Sequence, residues 1–83
     1  NADRDEYIAA KERSEQRHRD DLDNYYRAVE EVNNIIREEL AFGEYRRGSI
    51  THRERERAVR EDVFDKFGVP LNYRPVDERG MPL

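Results

Sequence analysis

Phe42 to Arg60 reads FGEYRRGSITHRERERAVR, and two features of this stretch decide the fold. Gly43 and Gly48 are the only glycines or prolines between Asp3 and Phe67. A glycine just past a periodic helix is the usual residue for a left-handed C-terminal cap, because it takes positive φ without a Cβ penalty. Thr51 and Glu54 follow with the Thr-x-x-Glu spacing of a capping box, in which the hydroxyl accepts one orphan amide and the carboxylate another. The stretch therefore reads as the end of one helix near Ala41, a turn over residues 42–50, and a second helix over residues 51–67.

Upstream of the turn, residues 3–41 consist mostly of good helix formers, which permits one helix of roughly 39 residues, ~58 Å long. Leu22, Tyr25, Val29, Val32 and Ile36 recur at spacings of three and four and so share one stripe. Ala28, Ile35 and Phe42 widen it on one side and Tyr26 on the other. Extended backwards, the stripe meets His18, Glu15 and Lys11 before it reaches Ile8, so the first half of this helix is mostly polar.

Downstream, Val59, Val63 and Phe67 form the second stripe, with Phe64 beside it and His52 two turns earlier on the same face. Phe67-Gly68-Val69 predicts a Schellman ending in which Val69 folds back onto Phe64, and Pro70 prevents continuation. At ~24 Å the second helix matches about the last sixteen residues of the first, which carry most of the apolar stripe. Two independent periodicities thus agree on an all-α fold: a long helix with a shorter antiparallel helix against it, forming a helical hairpin. Residues 68–83 hold three prolines and are expected to be an extended tail. This tail either returns along the hairpin, laying Leu71, Tyr73 and Val76 on apolar surface, or reaches another chain.

Composition limits the rest. A single domain of 83 residues buries only about 60–65% of the surface its unfolded chain exposes. With 35% apolar and 43% charged residues, order depends on long helices or a partner. The absence of cysteine excludes disulfides, thiolate metal sites and cysteine nucleophiles, and a cytoplasmic location is the expectation. No apolar run approaches the ~20 residues that span a bilayer, so no membrane contact is expected. The chain opens Asn1-Ala2, the kind of junction left when a tag is removed, and is read as a piece of something longer.

Four constellations are candidates for chemistry. Arg53, Arg57 and Arg60 share one flank of the second helix, next to Arg46 and Arg47 in the turn, and guanidinium forks match phosphate or carboxylate oxygens. Residues 44–60 hold six basic side chains against three acidic ones, or +3, which leaves −7 of the total −4 for the rest of the chain. Glu56 with Arg60, Arg57 with Glu61, and Glu54 with Arg57 stand four or three apart, so neutralisation on a solvated face is expected to outweigh binding to a polyanion. Glu15 and His18 have the Glu-x-x-His spacing of di-iron bundles, but one such motif does not complete a site, and no metal or other cofactor is expected. Asp20, Asp21 and Asp23 lack the glycine and distal glutamate of a calcium loop. Among Tyr7, Tyr25, Tyr26, Tyr45 and Tyr73, only Tyr45 lies beside clustered arginines, where it would serve as a stacking platform for bases.

With no phosphate loop and no nucleophile elbow, an enzyme is not expected. The sequence reads as a helical protein–protein interaction or assembly module that binds a protein partner, a second copy of itself included. The stripes Leu22, Tyr25, Val29, Val32, Ile36 and Val59, Val63, Phe67 would form its core and interface. The alternative is a nucleic-acid-associated module using Arg46, Arg47, Arg53, Arg57 and Arg60.

Overall fold

A computed structural model of the chain describes residues 2–83. Helix α1 spans Ala2–Ala41 and helix α2 spans Ile50–Lys66, and the two pack against each other. Lys66 reaches Glu31 at 3.4 Å and Arg55 reaches Glu39 at 2.8 Å, so the later position on α2 meets the earlier position on α1. The pair is an antiparallel hairpin, and the fold is all-α as the two periodicities predict.

Both helices end in the same way. Glu44 N–H donates to Glu39 O at 3.0 Å and Gly43 N–H to Leu40 O at 3.1 Å, while Val69 N–H donates to Phe64 O at 2.8 Å and Gly68 N–H to Asp65 O at 3.0 Å. These are two Schellman motifs, each turning on a glycine of positive φ, +75° at Gly43 and +70° at Gly68. Val69 joins the core with Phe64, as the Phe67-Gly68-Val69 signature predicts.

The start of α2 differs from the sequence expectation. The N-cap is Ser49 in extended conformation, not Thr51; its hydroxyl oxygen accepts the His52 amide at 3.1 Å, and the helix begins at Ile50. His52 takes the role foreseen for Glu54: its Nδ1 accepts the Gly48 N–H at 2.9 Å. The imidazole thus satisfies an amide just ahead of the cap, a reciprocal arrangement of the capping-box kind with a ring nitrogen replacing a carboxylate. Helix α2 accordingly lies one residue earlier at each end than residues 51–67.

The core is one layer between the helices. Ala28, Val32 and Ile36 of α1 meet Val59, Val63 and Phe64 of α2, and Val69 closes one end. Phe64 and Ala28 have no exposed surface. Burying a side chain the size of Phe64 contributes ~1.5–3 kcal/mol, so the hairpin depends on very few residues. Tyr25, Val29 and Phe67 pack partly buried against this cluster, and Leu22 is half-buried.

The tail turns back along α1 toward its first half, adding no helix and no ladder strand among the described residues. Tyr73 packs its ring 5.3 Å from that of Tyr25, which itself meets Phe64 edge-on at 6.0 Å. Leu71, which the returning path would also lay on apolar surface, remains 48% exposed. The last residues fold into a turn instead of running extended: Asp77 Oδ1 accepts the amides of Arg79 at 2.9 Å and Met81 at 2.8 Å, and Val76 bridges to Pro82.

The molecule measures 63 × 23 × 16 Å, with a radius of gyration of 17.9 Å against about 12 Å for a globular domain of this length. The excess length is the first half of α1. From residue 3 to residue 17 only Ala9 is even partly buried, so ~22 Å of helix projects as an arm.

Candidate functional site

At the turn end of the hairpin a polar network holds the two helices in register. Arg55 grips Glu39 through Nη2 at 2.8 Å and through Nε at 2.9 and 3.0 Å, and the Tyr45 hydroxyl donates to Glu39 Oε2 at 2.9 Å. His52 stacks on the Tyr45 ring, centroids 5.5 Å apart and planes 17° from parallel. Because His52 Nδ1 accepts from Gly48, the ring proton sits on Nε2, which faces Glu56 Oε2 at 3.4 Å. Hydrogen bonds from Arg55, and then from Tyr45, hold the Glu39 carboxyl below its ordinary value against partial desolvation. Burial, followed by the hydrogen bond to Glu39 and its charge, pushes the Tyr45 phenol up to about 12. The hydrogen bond to Glu39 likewise raises Arg55.

This network reassigns Tyr45. One ring face is covered by His52 and the hydroxyl is committed to Glu39, which leaves only the other face, toward Arg46 and Arg47, for stacking.

The arginines stand in two groups. Arg53, Arg57 and Arg60 line one shallow depression on α2 with Glu56. Arg46 and Arg47 line another with Arg37 of α1, over a floor of Leu40, Ala41 and Tyr45. The expected pairs Glu56 with Arg60, Arg57 with Glu61 and Glu54 with Arg57 do not form within 4.0 Å, and none of these six arginines makes an ion pair among the described residues. Glu56 turns to His52 instead. The other pairs lie on solvated surface, where closing one contributes only about 0.3–0.5 kcal/mol. Arg60 places its guanidinium 4.3 Å from the centroid of the Phe64 ring and is half-buried there, so it also supports the core.

Glu15 and His18 sit together where the tail's turn approaches α1, in a pocket of about 430 Å³ lined also by Ser14, Arg19, Val76, Asp77, Glu78 and Gly80. His18 Nε2 is buried without a hydrogen-bond partner. Among the described residues no three His, Cys, Asp or Glu side chains converge to hold a metal ion. Asp21 borders the ring of Tyr73, whose phenol is raised by burial and then by that charge; Asp23 pairs with Arg27 at 3.2 Å.

Sequence reasoning missed Arg37 and Arg55. Arg37 lies in the α1 pattern nine residues before Arg46, with no local mark to join it to the turn arginines. Arg55 finds its partner sixteen residues away in sequence, beyond any i, i+4 search. Large apolar side chains are exposed at both ends of the molecule: Phe42 and Ile50 at the turn, 79% and 74% exposed, and Tyr7 and Ile8 on the arm, 70% and 44%. Among the described residues no helix is long and apolar enough to cross a membrane. The chain matches no protein-family model, no curated protein and no solved structure.

Proposed function

We propose that the chain is a small helical interaction module that binds protein and associates with copies of itself. The carrying observation is the arm: residues 3–17 of α1 have almost no intramolecular cover, yet they bear the exposed side chains of Tyr7 and Ile8. Isolated helices of about 12–15 residues are marginal in water, and a thin core gains stability when a second surface covers what the monomer leaves open. Phe42 and Ile50 add an apolar patch at the opposite end. Light scattering at micromolar concentration tests the reading. The expected result is a mass above one chain that falls on dilution; a single-chain mass with a cooperative melt contradicts it.

A second reading, binding to nucleic acid, is supported by Arg37, Arg46, Arg47, Arg53, Arg57 and Arg60 around the two depressions, none of which makes an ion pair among the described residues. Against it stand the net charge of −4 and the commitment of Tyr45 to Glu39 and His52. Retention of an oligonucleotide that weakens steeply between about 50 and 200 mM salt would favour this reading.

A further inference from the structure

The two ends of the molecule are complementary and cannot meet within one chain. At the turn end, Arg37, Arg46 and Arg47 surround a depression of about 460 Å³ floored by Leu40, Ala41 and Tyr45. This is a cationic rim on a partly apolar floor, and its three arginines have no ion-pair partner among the described residues. At the far end of the arm, Asp3, Asp5 and Glu6 stand against the single base Arg4, beside Tyr7. Asp3, Glu6, Tyr7 and Ala10 fall at i, i+3, i+4 and i+7, so two acids, an exposed aromatic ring and a small residue that permits close approach share one helix face. Residues 3 and 37 lie on one continuous helix and are ~51 Å apart at 1.5 Å per residue, so the arm cannot fold back onto the depression of its own chain.

We infer that the Asp3, Glu6 and Tyr7 face of one copy docks into the Arg37, Arg46 and Arg47 depression of another, a head-to-tail contact. This rests on the self-association proposed above and specifies its geometry. The carboxylates meet guanidinium groups that have no intramolecular ion pair, and the Tyr7 ring lies on the floor made by Leu40 and Ala41, an aromatic anchor inside a charged rim. Two different patches are joined, so the contact is heterologous: repeated, it closes into a ring or grows as an open chain.

The test uses two charge-reversal variants. Arg37→Glu/Arg46→Glu/Arg47→Glu alters the depression and Asp3→Arg/Glu6→Arg alters the arm; all five side chains are exposed, so helicity by circular dichroism should match the wild type. At low salt each variant should weaken self-association at least about tenfold, because like charges then face each other across the contact. An equimolar mixture of the two should regain a mass of two chains or more, since an intact arm now finds an intact depression. A mixture that stays at the mass of one chain overturns the inference; a symmetric arm-to-arm contact would instead leave the depression variant, whose arm is intact, self-associated. A depression variant that keeps the wild-type mass also overturns it, whether or not it loses affinity for a DNA or RNA oligonucleotide. A wild type that stays monomeric at high protein concentration contradicts both this inference and self-association itself; a wild type that associates unchanged after both substitutions contradicts the inference alone.

Discussion

Helix α1 has two halves of similar helix propensity and different circumstances. Residues 25–41 carry Ala28, Val32 and Ile36 in the core, are capped at Gly43 and are tied to α2 through Glu39. Residues 3–17 have one partly buried side chain, Ala9, and no helix packed against them among the described residues; only Ser14 and Glu15 border the tail's turn. The difference teaches that helix formation and helix packing are separate questions. The packed half provides the nucleus, and the arm extends it at about one backbone hydrogen bond per added residue. Stability should therefore reside in the hairpin, while the arm remains available for association.

The largest break in that contrast should come from Phe64→Ala, which empties the centre of the core and should cost about 3–5 kcal/mol by chemical denaturation, enough to unfold a hairpin this thin. Next, Gly68→Ala should cost about 1–2 kcal/mol through backbone strain, since a Cβ there meets nothing within 4 Å and only the positive φ opposes it. Serine at Arg46, Arg47, Arg53 and Arg57 should leave the melting temperature nearly unchanged, whereas Arg60→Ser should lower stability by about 0.5–1 kcal/mol by removing the cation from the Phe64 ring.

The polar network gives the hairpin a pH dependence. Glu39 titrates below its ordinary 4.5 when folded, so its contribution is present above that pH and is lost as pH falls through the lower folded value. Tyr45 is raised from 10.0 to about 12, so its contribution is present below pH 10 and is lost as pH rises toward 12. Glu39→Gln should flatten the acid limb of a stability profile. Tyr45→Phe should flatten the alkaline limb, leaving the smaller part that Tyr73 adds in the same direction. The smallest effect on folding should be that of Tyr7→Ala, within about 0.5 kcal/mol, because the side chain is 70% exposed; its effect should be on association.

What the sequence makes legible is local. Val32, Ile36, Val59 and Val63 of the two stripes, the glycine ends of both helices and the return of Val69 onto Phe64 follow from spacing and φ preference and are present in the structure, whereas Ala28 and Phe64, beside the stripes, are fully buried in place of the partly exposed Val29 and Phe67. At the start of α2 the Thr51 and Glu54 spacing predicts a cap two residues later than the one formed: Ser49 caps His52, and the His52 ring reaches back to Gly48 in the role expected of the Glu54 carboxylate. The Glu39, Tyr45 and Arg55 network joins α1 to α2 and the turn, and no local spacing encodes it. The turn at Asp77 does have a signal, an aspartate three residues before Gly80, but the prolines around it read more strongly as extended chain.

Amide hydrogen exchange resolved along α1 tests the division of this helix most directly. In dilute protein, amides of residues 28–41 should be protected close to the global stability and those of residues 5–17 should exchange far faster. The arm should gain protection as the concentration rises and association sets in. Uniform protection from residue 5 to residue 41 in dilute protein, unchanged by concentration, would contradict the account.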